Sequence, residues 1–533
     1  MSAKLNIVNI FENSAKKPIV FLVLIALAGL FLRLVYFPYD VPLFNDSLGY
    51  FWYAIDMSIL NQLPPGHSIV NNGWPSFLSI IFQLMDSNNF LDYHNMQRFV
   101  GVVFSVATVF PVYFLCSMYF KKSYSLLGAT LFIFEPRLIQ NSFIGTPESM
   151  YIFLMALLLF LFLSNNFKKI YLAFGIVALL AITRYEGLLM IIPLSVVFFI
   201  RFRRQKKDLI KYIICISIFI LILMPVAFLR NETMGQDGLI SHVSAGPMVY
   251  ASAIQENSSA LGDFLYLGSI NLIKYLGWAQ IPSFIIFVPL GIIFIFKKID
   301  YKKSTIIFTI VVMLIPAFYA YSREFQEMKY LYVLYPIFCV LACFTFKIFL
   351  EKFHRKNLIF CIIIGGIILS SVIFVEWKAL DSDHYRELYE ILTEIGQKEM
   401  KINTEFGKYG QLLYFQWVNV QNAEKFPILK EDMPQSKMTF TLTDDWEVVY
   451  DFDSLRDYFQ FLEKQKITHL ILDKYGNAKF QHELNLHLLD MFNHENKYTF
   501  LVKEYDSREN GFNYHLKLFK IDYDLYNEWI NEN

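Results

Sequence analysis

About eleven apolar runs, separated by small clusters of lysine and arginine, constrain this chain more than any other feature. They cover roughly residues 18–37, 97–119, 123–135, 148–164, 170–183, 187–201, 210–229, 282–297, 304–320, 331–350 and 358–375. A helix that crosses a bilayer needs about 20 such residues, so the shorter runs predict a tightly packed bundle. The basic clusters are Lys16-Lys17, Lys121-Lys122, Lys168-Lys169, Arg201 to Lys207, Lys297 to Lys303, and Lys352 with Arg355-Lys356. Lys and Arg concentrate in cytoplasmic loops. All of these clusters share one side if the N-terminus is cytoplasmic, and the loops 38–96, 136–147, 184–186, 230–281 and 321–330 then lie outside. An odd number of spans also leaves everything after about Glu376 extracytoplasmic.

Composition agrees with a cell-membrane, multi-pass chain. Of 533 residues, 55% are hydrophobic and 18% charged, with mean hydropathy +0.40, too apolar for a soluble protein of this size. The expected fold class is a polytopic α-helical membrane protein with a small C-terminal α/β soluble domain, divided as 1–375 and 376–533. In the second part, 384–400 and Ser454–Lys464 have helical periodicity. Met438 onward, Glu447-Val-Val-Tyr450, Thr468–Asp473, Tyr498–Lys503 and His515–Ile521 alternate like strands. The five cysteines fall in or beside apolar runs with no zinc or disulfide spacing.

Ionisable groups at membrane depth cost about 2.5–3.5 kcal/mol each on insertion scales, so those beside the spans are the candidates for chemistry. The loop 38–96 holds Asp40, Asp46, Asp56 and His67, with Arg98 just beyond it. From Asp46 the sequence is amphipathic, and Asp46, Tyr50 and Tyr53 share one helical face. The segments 47–62 and 74–85 read as helices lying at the interface. Further candidates are Arg137 beside Glu135, Glu148 at the head of a span, the knot Arg184-Tyr-Glu186, and Arg323 with Lys329. Each has a plain reading as a helix cap, dipole partner or snorkelling cation. There is no Gly-rich phosphate loop, no His-Glu-x-x-His and no Gly-x-Ser-x-Gly. The basic runs carry no aromatic interleaving, so no nucleic-acid partner is expected.

Several short motifs resemble the GT-C superfamily of polytopic membrane glycosyltransferases. They are Asn45-Asp46-Ser-Leu-Gly-Tyr50, Gly73-Trp-Pro75, Gly145-Thr-Pro-Glu148, Thr183-Arg-Tyr-Glu-Gly187, and the charged stretch Arg323 to Pro336. The resemblance is to the protein O-mannosyltransferase and aminoarabinose-transferase branch, particularly its archaeal members. It implies an inverting transfer of a sugar from a polyprenyl- or dolichyl-phosphate donor to a protein, glycan or lipid acceptor outside the membrane. By that resemblance Asp46 is the general base. Tyr50, Arg98, Arg137, Glu148, Arg184, Glu186, Arg323 and Lys329 are substrate-binding, with Arg184, Arg323 and Lys329 meeting the phosphate. Ser47 follows Asp46 where many relatives carry a second acid; no cofactor is assigned, and a divalent metal lacks its paired-acid motif. A non-enzymatic protein such as a lipid-linked sugar flippase or transporter is the competing class. That class places charged or broken helices at mid-membrane.

Overall fold

The computed structural model describes residues 17–532 apart from 45, 66, 68, 70, 203–205, 245–259, 324, 326, 353–355, 397–399, 404–425, 434–437, 442–453 and 475–481. It is a polytopic helical membrane protein carrying one small sheet. Among the described residues seven helical stretches are long and apolar enough to cross a membrane, and Gly73–Phe82 and Glu148–Phe162 are shorter apolar helices.

The chain forms two compact units. One comprises Met1–Phe37, Gly49–Met85 and Asn95–Trp377, and the other Pro38–Leu48, Asp86–His94 and Lys378–Asn533. In the first, the helices Val109–Ser117, Lys122–Ile133, Glu148–Phe162 and Tyr335–Glu351 pack into a common core. Lys122–Ile133 is buried almost all round, which is why its run has no amphipathic period. The charge inside the first span is accounted for locally. Arg33 is fully buried and donates to the carbonyls of Gly29 and Ile133, each at 3.0 Å, and to Ser105 Oγ at 2.9 Å. Backbone carbonyls and Ser105 thus take its two terminal nitrogens, which lipid cannot, while Nε has no partner among the described residues.

Three elements differ from the sequence expectation. The loop 230–281 contains a 20-residue helix, Ala260–Ala279, packed on Tyr301–Ser322. Its Asp263, Asn271 and Lys274 break the apolar run that would have announced it. The expected span 358–375 and the helical segment after 384 are one helix, Lys356–Ile395. The helix Asp46–Leu60 is also more enclosed than a surface-lying helix: Phe51, Trp52, Tyr53, Ala54, Ile55 and Asp56 are consecutive and all buried.

The second unit carries a five-stranded sheet, β1 Met400–Asn403, β2 Met438–Thr441, β3 His469–Asp473, β4 Leu501–Asp506 and β5 Leu516–Ile521, in the order β2-β1-β3-β5-β4. β1 lies parallel to β2 and β3, while β5 runs antiparallel to β3 and β4. All of β3 is buried, as expected for a central strand that reads as a continuous apolar run. Ser454 caps the helix Leu455–Lys464, accepting from the Asp457 N–H, and that helix buries Tyr458, Phe459 and Leu462 in the small core. The expected strand at Glu447 lies outside the described residues.

Helix contacts in the first unit are close enough to be tested by one methyl group. A Cβ on Gly291 would stand 2.2 Å from the carbonyl oxygen of Leu341, whereas one on Gly366 meets nothing within 4 Å. Gly291→Ala should cost about 1–3 kcal/mol because the opposing atom is backbone. Gly366→Ala should be neutral or slightly stabilising. Thermal unfolding of the two variants in detergent checks this.

Candidate active site

Four turns of backbone build the polar centre of the first unit. Gly145 ends the helix Pro136–Ile144 in the left-handed conformation, φ 84°, a geometry in which a side chain is strained. Its carbonyl accepts from Trp74 Nε1 at 2.9 Å and Gln97 Nε2 at 2.8 Å. That anchor fixes the start of the helix Glu148–Phe162 and places Glu148 in its first turn, where the helix dipole favours a carboxylate. The helix Phe167–Thr183 ends opposite, and a tight 3₁₀ segment, Tyr185–Met190, follows. A Cβ on Gly187 would lie 2.7 Å from the carbonyl of Leu180, and one on Gly73 3.0 Å from the Thr183 backbone. The glycines of the Gly73-Trp-Pro and Arg-Tyr-Glu-Gly motifs are therefore close-approach positions.

Arg184 occupies the centre. Its Nη1 donates to Glu148 Oε1, and its Nη2 donates to Glu186 Oε1 at 2.8 Å. All three side chains are buried. The guanidinium also lies 5.9 Å from the ring centroids of both Tyr151 and Tyr330. Burial works against its charge, but Glu186 and Glu148 outweigh that and hold it more firmly protonated than an ordinary arginine. Oε2 of Glu148 has no hydrogen-bond partner among the described residues.

Beside the trio opens a small cleft, in which Arg184, Glu186 and Lys329 face an apolar wall of Met313, Pro316 and Val333. Lys329 Nζ is 2.5 Å from Glu327 Oε2, a carboxylate more than half exposed. Tyr50 reaches the same centre through asparagine. Asn71 Nδ2 donates to the Tyr50 hydroxyl at 3.4 Å, and Asn71 Oδ1 accepts from the Tyr185 N–H at 3.1 Å. Asp46 is exposed and opens the helix Asp46–Leu60, one turn before Tyr50.

The remaining expected residues stand apart from the cleft. Arg98 is buried, its Nε donating to the Phe143 carbonyl at 2.9 Å. Arg137 donates to the carbonyl of Ile281 at 3.1 Å and covers the ring of Phe374 at 5.4 Å. Arg323 extends towards Tyr319 and Phe325 and is not among the residues lining the cleft. Asn45 lies outside the described residues. Among those described, no group of three or more His, Cys, Asp or Glu side chains is arranged to hold a metal ion.

The sequence reading passed over Arg230 and His242. Arg230 closes an apolar run and is indistinguishable there from a flanking snorkel. His242 lies with its ring 4.6 Å from that of Tyr185. Burial lowers its pKa, Glu186 opposes that shift and Arg230 reinforces it.

A family model described as dolichyl-phosphate-mannose-protein mannosyltransferase matches residues 76–228, less than a third of the chain. Among solved structures, the Archaeoglobus fulgidus oligosaccharyltransferase tethered to an acceptor peptide is similar with TM-score 0.55 and 12% identity, over 86% of this chain and 69% of that one. The same organism's oligosaccharyltransferase AglB, in complex with an inhibitory peptide and a dolichol-phosphate, gives TM-score 0.54 at 12% identity, over 86% and 69%. ArnT from Cupriavidus metallidurans, bound to undecaprenyl phosphate, gives 0.51 at 10% identity over 95% and 98%. No curated protein sequence matches. The fold is that of the GT-C glycosyltransferases, as the motifs had suggested.

Removing Arg184 alone leaves two buried carboxylates without their cation. Arg184→Met should cost about 3–5 kcal/mol, and Glu186→Gln clearly less, since Glu148 still pairs the charge. Denaturation midpoints of the purified variants measure the difference.

Proposed function

We propose that this protein is an inverting glycosyltransferase that moves a sugar from a polyprenyl- or dolichyl-phosphate donor to an acceptor on the extracytoplasmic side of the membrane. The carrying observation is the cleft, where Arg184 and Lys329 meet an apolar wall of Met313, Pro316 and Val333. A lipid phosphate asks for that combination: cations for the headgroup and apolar surface for the chain. The family-model match and the lipid phosphates named with AglB and ArnT support the same donor class.

In this reading the two cations have different tasks. Arg184 is fixed between two buried carboxylates and supplies a rigid positive centre. Lys329 is paired with a half-exposed glutamate, an interaction worth about 0–1 kcal/mol. That pair is weak enough to give way to an arriving phosphate. Asp46 acts as general base. It takes the proton of the acceptor hydroxyl or amine as that atom attacks the anomeric carbon, the carbon–oxygen bond to phosphate breaks, and the lipid phosphate leaves with the electron pair. The leaving group needs charge stabilisation and no proton. Sequence resemblance and the position of Asp46 at the head of the helix that carries Tyr50 support this assignment. The basic-cluster alternation supports a cytoplasmic N-terminus and an extracytoplasmic second unit.

Purified protein given a radiolabelled polyprenyl-phosphate sugar should consume it. Asp46→Asn should lower kcat roughly 100-fold or more. Lys329→Ala should raise the donor KM about tenfold, the loss of one charge-assisted hydrogen bond, with a smaller effect on kcat. Full turnover by Asp46→Asn would remove the base assignment. Movement of intact lipid-linked sugar across vesicles without cleavage would favour the flippase class.

A further inference from the structure

Arg230 is a buried cation outside the cleft, and unlike Arg33 and Arg98 it donates to no carbonyl among the described residues. It lies near the C-terminal end of the helix Lys206–Met234, its side chain is fully covered, and Nε, Nη1 and Nη2 all lack a hydrogen-bond partner among the described residues. A buried guanidinium with five N–H donors and no acceptor is costly. The carboxylate beside it, Asp237, offers opposite charge but accepts no hydrogen bond from it. Asp237 accepts from the backbone N–H of Leu239 at 2.7 Å and from that of Ser241 at 3.2 Å with each of its oxygens, so both oxygens are committed to the turn. Gly238 follows with φ 64°, and a Cβ there would stand 2.1 Å from Arg230 Nη2. The turn therefore lies directly on the guanidinium.

Two further buried polar groups share this place. The Tyr53 hydroxyl and the Asn72 side chain are buried facing each other, and neither makes a well-formed hydrogen bond to any other described residue. The charge of Arg230 acts on Tyr53. Burial pushes the Tyr53 phenol up to about 12, so it remains a donor at neutral pH. Its ring is stacked on His67 at 4.8 Å, and His67 is held by Asp56 at 2.7 Å, which fixes the direction of the hydroxyl.

We propose that Arg230, Tyr53 and Asn72 form a second anion site that takes a phosphate group, separate from the cleft of Arg184 and Lys329. Guanidinium, phenol and amide donors together match the several acceptor oxygens of a phosphate. The phosphate comes either from a lipid headgroup or from a soluble phosphate-bearing molecule. The covering turn is pinned by local bonds, Gly235 N–H to Asn231 O at 3.0 Å and Gly238 N–H to Ser241 Oγ at 3.0 Å. Entry of the anion displaces that turn and leaves the helix in place. The site stands independently of the glycosyltransferase reading.

The test uses full-length protein in detergent and phosphate-free buffer, in a Lys329→Ala background that weakens binding in the cleft. Thermal unfolding is followed against inorganic phosphate and against a short-chain polyprenyl phosphate. The proposal expects a saturable rise in Tm with at least one probe. A rise with both identifies a soluble-phosphate site, and a rise with the lipid alone a headgroup site. Adding Arg230→Met should abolish that rise while raising Tm in the absence of phosphate, because a buried charge whose donors lack acceptors has been removed. A merely structural arginine predicts the opposite sign. Tyr53→Phe, which removes one donor, should weaken the phosphate affinity about fivefold. No rise with either probe, an undiminished rise in Arg230→Met, or, where that variant fails to fold, an unchanged affinity in Tyr53→Phe would overturn the proposal.

Discussion

The buried ion trio of Arg184 with Glu148 and Glu186 is the constraint on which the rest of the site depends. Three ionised side chains at one point in an apolar bundle are tolerated only where each charge answers another. That requirement reaches into the backbone. Glu148 needs the left-handed turn at Gly145, whose carbonyl is held by Trp74 and Gln97. Glu186 needs the close 3₁₀ turn that Gly187 permits against Leu180. Motifs far apart in the chain are thus parts of one electrostatic solution.

The trio also divides labour among the cations. A guanidinium already paired twice is a fixed point in the local field. An ammonium on a half-exposed partner is held by a weaker pair. Arg184 and Lys329 line the same cleft yet differ in this respect, and the difference follows from the burial of their carboxylates. Arg230 is a third case: its covering turn spends the neighbouring Asp237 on backbone N–H groups, and its own N–H donors find no acceptor among the described residues.

Much of this was legible in the chain. Apolar runs identify spans because a bilayer admits only backbone that satisfies itself, and most of the expected runs are helices within a few residues. The helix Ala260–Ala279 was hidden because Asp263, Asn271 and Lys274 interrupt its hydropathy; Asn271 donates to the Tyr321 carbonyl, a packing role that composition cannot reveal. Candidate residues were legible as types. Arg184, Glu186 and Glu148 stood out as charges beside spans, but their pairing joins positions 36 apart in sequence. Arg98 and Arg137 stood out equally, and they bind backbone carbonyls instead.

By itself the sequence determined that the chain crosses a membrane many times, that a compositionally distinct α/β region follows, and which ionisable residues need an explanation. Those conclusions rest on transfer free energies and local periodicity, both properties of short segments. Only the tertiary structure decided which charges neutralise one another, which cation is held by the weaker pair and which buried donors lack acceptors. The physical reason is that ion pairing and desolvation depend on distances between segments distant in the chain, and no local pattern carries them.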